Sequence, residues 1–274
     1  MSETEMIRVH VVTGGFPPGS NAGHDMDYAR LRLLQLLQEQ PGMLTTVANN
    51  FNDIQTWLPG SRLLMTYVAG PFLTDAQSDY VQQWLDDGGR WLALHGTSGG
   101  KAARLENGRR KMVKTRHHEA LGSFFLNHPP LSKFQVRVTD ASHPLTRGLP
   151  ASFEVVDELY LIELQDPATS HILLTTELAR DPSPAGFGFS YDEDTSVLPD
   201  GVTRVLGYTR SQGKGGVAYI ALGHCHSRST NRQPVVDPSV SATGDVPLKF
   251  RGAWESEPFE QLLRNGIKWG SGQE

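Results

Sequence analysis

The sequence has a single cysteine, Cys225, among 274 residues, so no disulfide can close within one chain and a disulfide-stapled scaffold is excluded. It has no apolar run approaching the roughly twenty residues that span a bilayer, which excludes a membrane-crossing helix. Neither sign of charge is in large excess: 25 Lys and Arg stand against 30 Asp and Glu, a formal charge of −5. No segment concentrates basic residues enough to track phosphates. The nearest approach, Arg104 to Arg116, reads as a solvated loop and helix face rather than a polyanion site. The opening MSETEMIRVHVV carries neither a basic n-region nor an apolar h-region. Together these features predict a soluble cytoplasmic protein with no nucleic acid and no membrane as partner.

What is present is a succession of short apolar segments separated by helical patterns, the signature of a parallel sheet in the α/β class. Ile7 to Thr13, Leu44 to Phe51, Arg62 to Val68 and Arg90 to Leu94 read as strands. His24 to Gln40 reads as an amphipathic helix stopped by Pro41 and Gly42. Thr74 caps a second helix through Asp87, with Ala76, Tyr80, Val81, Trp84 and Leu85 on its buried stripe. Later the pattern becomes extended without long helices, over Phe134 to Thr139, Phe153 to Leu164, His171 to Glu177, Val202 to Tyr208 and Gly216 to Leu222. These segments predict added antiparallel strands. A last helix, Glu257 to Trp269, packs back on the sheet. Two polar loops, Asp181 to Gly201 and His226 to Trp254, are long enough to be lids, substrate walls or partly disordered segments. With no internal repeat, the expectation is one domain over 1–274, with flexible ends at 1–5 and 270–274.

Ligands of open α/β sheets gather at the carboxyl ends of strands, and three polar sites follow apolar strands here. In RWLALHGTSGG, His95 leaves its strand on a turn of small residues, the setting of a nucleophile elbow. In VAYIALGHCHS, His224 and His226 flank Cys225, and an extended backbone would point both imidazoles one way and the thiol the other. In FEVVDELYLIEL, adjacent Asp157 and Glu158 face opposite ways, so one carboxylate faces a site unless a bulge intervenes. The glycines after Thr13 and after His95 match no phosphate loop.

The ordered series GG, HD, LALHG, FFLNHP, HPLTRGLP, DELY, GGVAYIALGH and IKW resembles the ThuA-like (trehalose-utilisation) family over nearly the whole chain. That family is a branch of the class I glutamine amidotransferase-like fold that lacks the catalytic cysteine. The resemblance implies a flavodoxin-like, doubly wound, mainly parallel sheet. It places His95 where an amidotransferase carries its cysteine and His224 where that enzyme has its catalytic histidine, with His226 in place of the glutamate that would follow. An imidazole cannot form the acyl-enzyme of a glutaminase, so no such activity is expected. Cys225 reads as a small buried residue and Ser98 as a cap or turn residue.

The resemblance gathers His24, His95, His128, Glu158 and His224, with His226 as a further candidate. Imidazoles with a carboxylate suit either proton transfer near neutral pH or ligation of a divalent metal such as zinc. No HExxH or CxxC signature decides between them. The catalytic set is His95, Glu158 and His224: His224 as base, Glu158 as its orienting partner or the acid, His95 polarising the reacting oxygen. If a metal binds, His95 and His224 are the expected ligands. His24, Asp25, His128, Tyr160 and His226 are the substrate-binding candidates, although Asp25 equally suits a helix cap. Tyr160, Trp254 and Phe16 could stack on sugar rings or pack the core. His143 reads as a turn residue before Pro144, and His10, His117, His118 and His171 as strand or surface residues. The resulting expectation is an enzyme, a hydrolase, lyase or isomerase, acting on a small-molecule sugar, keto-sugar or polyol derivative. The alternative is a non-catalytic sugar-binding or regulatory module, and a homo-oligomer stays open.

Overall fold

Inside the parallel half of the sheet, apolar runs buried on both faces pair side by side because crossover helices cover both surfaces, while the edge strand Met43–Ala48 has no buried residue. The computed structural model describes residues 6–15 and 22–273; Phe16 lies outside them. The chain begins with β1 (Ile7–Gly15), α1 (Met26–Gln38), β2 (Met43–Ala48), the single turn α2 (Ile54–Trp57), β3 (Ser61–Ala69), α3 (Asp75–Asp86) and β4 (Arg90–Leu94). After an irregular turn come β5 (Ala102–Arg104), β6 (Arg110–Met112), α4 (Arg116–Leu121), β7 (Ser123–Asn127), β8 (Ser132–Val138), β9 (Ser152–Asp157) and β10 (Leu161–Leu164). The remainder is β11 (Ser170–Glu177), β12 (Thr203–Gln212), β13 (Gly215–Ile220) and α5 (Glu257–Ser271).

Nine strands form one mixed sheet in the order β2-β1-β3-β4-β13-β12-β11-β8-β9. From β2 to β13 every neighbour is parallel; from β13 to β9 every neighbour is antiparallel. The α/β expectation with added antiparallel strands therefore describes the architecture. The parallel half ends all its strands on one edge, and that edge carries the polar residues. β5 with β6 and β7 with β10 form two small antiparallel pairs beside it.

Helix signals translate directly into packing. Asp25 caps α1 by accepting from Tyr28 N at 3.2 Å. Thr74 and Gln77 close a reciprocal capping box on α3. α5 buries Phe259, Leu262, Leu263 and Ile267, each contributing about 1.5–3 kcal/mol by leaving water. Gly270 and Ser271 are buried in its last turn, so the expected flexible end does not begin at 270.

Other expectations need correction. Phe153 to Leu164 is two strands rather than one, because Glu158, Leu159 and Tyr160 leave the large sheet and the chain then pairs with β7. On α3, Ala76 is exposed and Tyr80 and Trp84 are half-buried. The helix rests on a narrower stripe of Ser78, Val81 and Leu85. The loop 181–201 is held by Arg204, a buried guanidinium paired with Asp194 at 2.9 and 2.7 Å.

His117 and His118 are not surface residues; both are buried on α4. His117 Nε2 donates to Thr97 O at 2.7 Å and His118 Nε2 to Gly99 O at 3.0 Å, so the pair clamps the turn after β4. Phe51, Phe72 and Trp91 surround the His117 ring. Among the described residues no helix is long and apolar enough to cross a membrane.

Burial lowers the pKa of His117 to about 3 and of His118 to about 4, with the neighbouring His118 ring adding to the effect on His117. In the unfolded chain a histidine takes its proton near pH 6.5. Stability from these two groups is therefore fully present above about 6.5 and is lost as pH falls toward 4, at up to about 1.4 kcal/mol per pH unit for each. His117→Gln, which can still donate to Thr97 O but cannot titrate, should flatten urea stability measured from pH 7.5 to 4.5. An identical pH slope in wild type and variant would contradict the assignment.

Candidate functional site

β4 delivers His95 to the sheet edge with φ at +41°, a left-handed conformation that costs a non-glycine residue roughly 1–2 kcal/mol. The surroundings hold it there. Tyr219 Oη donates to His95 O at 2.8 Å, and a Cβ on Gly96 would sit 2.7 Å from Val68 O, so only glycine lets the turn press against β3. The His95 ring donates from Nδ1 to Ala221 O at 2.8 Å, which leaves Nε2 as a lone pair facing the site. Tyr160 packs against it with ring centroids 4.0 Å apart.

The segment after β13 delivers a pair of imidazoles. As the alternation requires, His224 and His226 share one side, with His224 Nε2 3.0 Å from His226 Nδ1. His226 Nε2 donates to Pro247 O at 2.8 Å. That carbonyl fixes both tautomers: His226 Nδ1 accepts, His224 Nε2 donates, and His224 Nδ1 is a lone pair. Cys225 faces the other way, its Sγ 3.6 Å from Tyr67 Oη, and burial pushes its thiol up to about 12.

The two acidic neighbours divide as expected. Asp157 accepts from Gly223 N, His224 N and Glu158 N, each at 2.8 Å. It is a positioning residue, and burial raises its pKa to about 6. Glu158 turns into the site, where Oε2 lies 3.3 Å from His95 Nε2 and 3.2 Å from His224 Nδ1. Its other oxygen accepts from Gln233 Nε2 and lies 3.7 Å from His128 Nε2.

His24 completes the group from the segment after β1. Its Nδ1 donates to Ala22 O at 3.2 Å, and its ring meets those of His95 and His224 at 5.1 and 4.9 Å. Donor atoms of His24, His95, Glu158 and His224 all lie within 4.8 Å of one another, and all four residues are buried. Burial, then repulsion from the other rings, holds His24 well below its ordinary pKa, and burial lowers His224 to about 4. Burial opposes the charge on Glu158, but attraction to the His128 and His224 rings outweighs it and holds the carboxyl well below the usual range. The site is therefore a buried carboxylate ringed by imidazole nitrogens, a donor set suited to protons or to a divalent cation.

His95, Glu158 and His224 thus converge, with His24, His128, Tyr160 and His226 around them. Asp25 does not join them: its Oδ1 caps α1 and its Oδ2 lies 2.9 Å from Arg251. Trp254 is a core residue, donating from Nε1 to Gly223 O at 2.7 Å, and His143 shapes its turn by accepting from Leu145 N at 3.1 Å. Sequence reasoning missed Gln233 and Pro247, which reach the site from a patternless loop. It also missed the bonding of Asp157, whose only signal was its place beside Glu158.

The family model described as trehalose utilisation, ThuA, matches residues 18–237. Among solved structures, a ThuA-like protein from Bacteroides uniformis superposes with a TM-score of 0.64 at 16% identity, covering 98% of this chain and 93% of its own. One from Parabacteroides merdae gives 0.59 at 16% identity, with 98% and 91% covered. A glutamine amidotransferase from Thermotoga maritima gives 0.50 at 10% identity, with 98% and 99% covered. At these identities the likeness shows the shared fold. No curated protein matches the chain. With the family model spanning most of its length, the chain belongs to the ThuA (trehalose utilisation) family.

Proposed function

We propose that this protein is an enzyme of carbohydrate metabolism that acts on a sugar, keto-sugar or polyol derivative by proton transfer at the histidine and carboxylate cluster. The family's description supports the substrate class. The observation that carries the chemistry is the position of Glu158 Oε2, 3.3 and 3.2 Å from ring nitrogens of His95 and His224 in a buried setting. His224 is the proton acceptor, Glu158 orients it, and His95 binds the reacting oxygen. Such groups supply typically 10²–10⁴-fold in rate when aligned with a substrate. Hydrolysis, elimination and isomerisation of a sugar all need such transfers.

Glutamine hydrolysis is not the activity. The elbow carries an imidazole where a thiolate is required, and Cys225 faces Tyr67 with its pKa raised by burial.

Incubation with a panel of disaccharides, their keto derivatives and polyols, followed by NMR, should reveal one class that is converted. Glu158→Gln and His224→Ala should each lower its kcat by at least about 100-fold while circular dichroism reports an unchanged fold. Conversion at the wild-type rate by both variants would reject the site. Binding without conversion in the wild type would favour a sugar-binding module instead. In the same preparations, wild type and Cys225→Ser should release no ammonia from glutamine; release abolished by the substitution would overturn the exclusion.

A further inference from the structure

Four acceptor atoms meet in the cluster: Nε2 of His24, Nε2 of His95, Nδ1 of His224 and Oε2 of Glu158. Each ring nitrogen's tautomer is dictated from behind, by Ala22 O, by Ala221 O and by the His226 relay to Pro247 O. Apart from Glu158 Oε2, which lies 3.3 Å from His95 Nε2 and 3.2 Å from His224 Nδ1, the three inward ring nitrogens have no polar partner. Buried polar nitrogens and a carboxylate oxygen gathered at one point with no further partner are costly to leave unmatched. A single proton could satisfy one close pair. A single water could donate two hydrogens to four acceptors.

We propose that His24, His95, His224 and Glu158 are the protein ligands of one divalent transition-metal ion, with zinc as its simplest case. Such an ion with nitrogen and oxygen ligands at about 2.0–2.1 Å holds neighbouring ligand atoms about 3.3 Å apart. The two separations around Glu158 Oε2, 3.3 and 3.2 Å, match that spacing. All four ligand atoms lie within 4.8 Å of one another, near enough to the roughly 4.1 Å of ligands on opposite sides of such an ion for small side-chain movements to close them on it.

The outer contacts are those of a metal centre. Each ligand imidazole gives its other N–H to a backbone carbonyl or to a second imidazole, an arrangement that fixes ring orientation and raises ligand basicity. Gln233 holds the remaining oxygen of Glu158, leaving Oε2 for the ion. His128 approaches Glu158 Oε1 rather than Oε2, and so stands outside the ligand set.

This inference shares its residues with the proposed function but not its substrate. With an ion in place His95 and His224 would hold the metal, so His224 would no longer accept the proton itself, and the ion would instead supply the acidity for proton transfer.

The test is zinc binding to chelator-stripped protein, followed by calorimetry with zinc chloride and by elemental analysis after desalting. Wild type and His143→Ala should retain one zinc per chain. His24→Ala, His95→Ala, His224→Ala and Glu158→Gln should each weaken binding at least tenfold. His226→Gln, which removes no ligand, should weaken it about 10–100-fold, and cobalt bound in place of zinc should change its visible spectrum in this variant. Circular dichroism identifies any variant that fails to fold, and the near-isosteric Glu158→Gln then decides. No zinc in wild type, or equal affinity in wild type and Glu158→Gln, overturns the inference. If zinc does not bind but Glu158→Gln still abolishes sugar conversion, the metal falls and the function stands; if zinc binds and no sugar is converted, the reverse holds.

Discussion

The site depends on the Asp157 carboxylate and the three backbone N–H groups it accepts. β9 is the edge strand of the antiparallel half, four strands from β13 in hydrogen-bond order. Asp157 nevertheless accepts from Gly223 and His224, so the antiparallel half curves back over the carboxyl ends of the parallel half. Its third bond, from Glu158 N, sets the direction in which the next side chain leaves the strand. A buried carboxylate is expensive to desolvate, and charge-assisted bonds to backbone donors are the strong kind that offset this. Removing Asp157 would leave three buried donors unmatched and release Glu158 from its place between His95 and His224.

Around that anchor every imidazole is oriented by a group outside the cluster. Ala221 O, Ala22 O and the His226 relay each engage one ring nitrogen, so the other nitrogen of each ring turns into the cluster. His117 and His118 support the same geometry one layer out, by clamping the carbonyls of the turn that carries His95. The strained φ of His95 persists because these contacts leave its turn no other arrangement. Such strain held by its surroundings is common where a side chain must be presented at a fixed point.

Much of this was legible in the sequence. Strands buried on both faces announce themselves as unbroken apolar runs, so the parallel half and the strand-end position of His95 and His224 could be read directly. Alternation foretold that only one of Asp157 and Glu158 faces the site, and that Cys225 points away from His224 and His226. His24 entered only through family resemblance, since no local pattern links it to residues seventy or two hundred positions away. His117 and His118 were misread because they follow a run rich in Arg and Lys, and six residues of α4 give no amphipathic period. Gln233 and Pro247 lie in a loop whose path is set by a small cluster of Leu131, Val236 and Phe250, contacts between segments about a hundred residues apart.

Three imidazole nitrogens and one carboxylate oxygen gather within 4.8 Å of one another, the place proposed here for a cation. Crystals of the protein equilibrated with zinc chloride, measured on both sides of the zinc absorption edge, test it most directly. The account predicts one anomalous peak per chain within about 2.0–2.2 Å of His24 Nε2, His95 Nε2, His224 Nδ1 and Glu158 Oε2, absent below the edge. Density there without anomalous signal, or a peak bound by other residues, would contradict it.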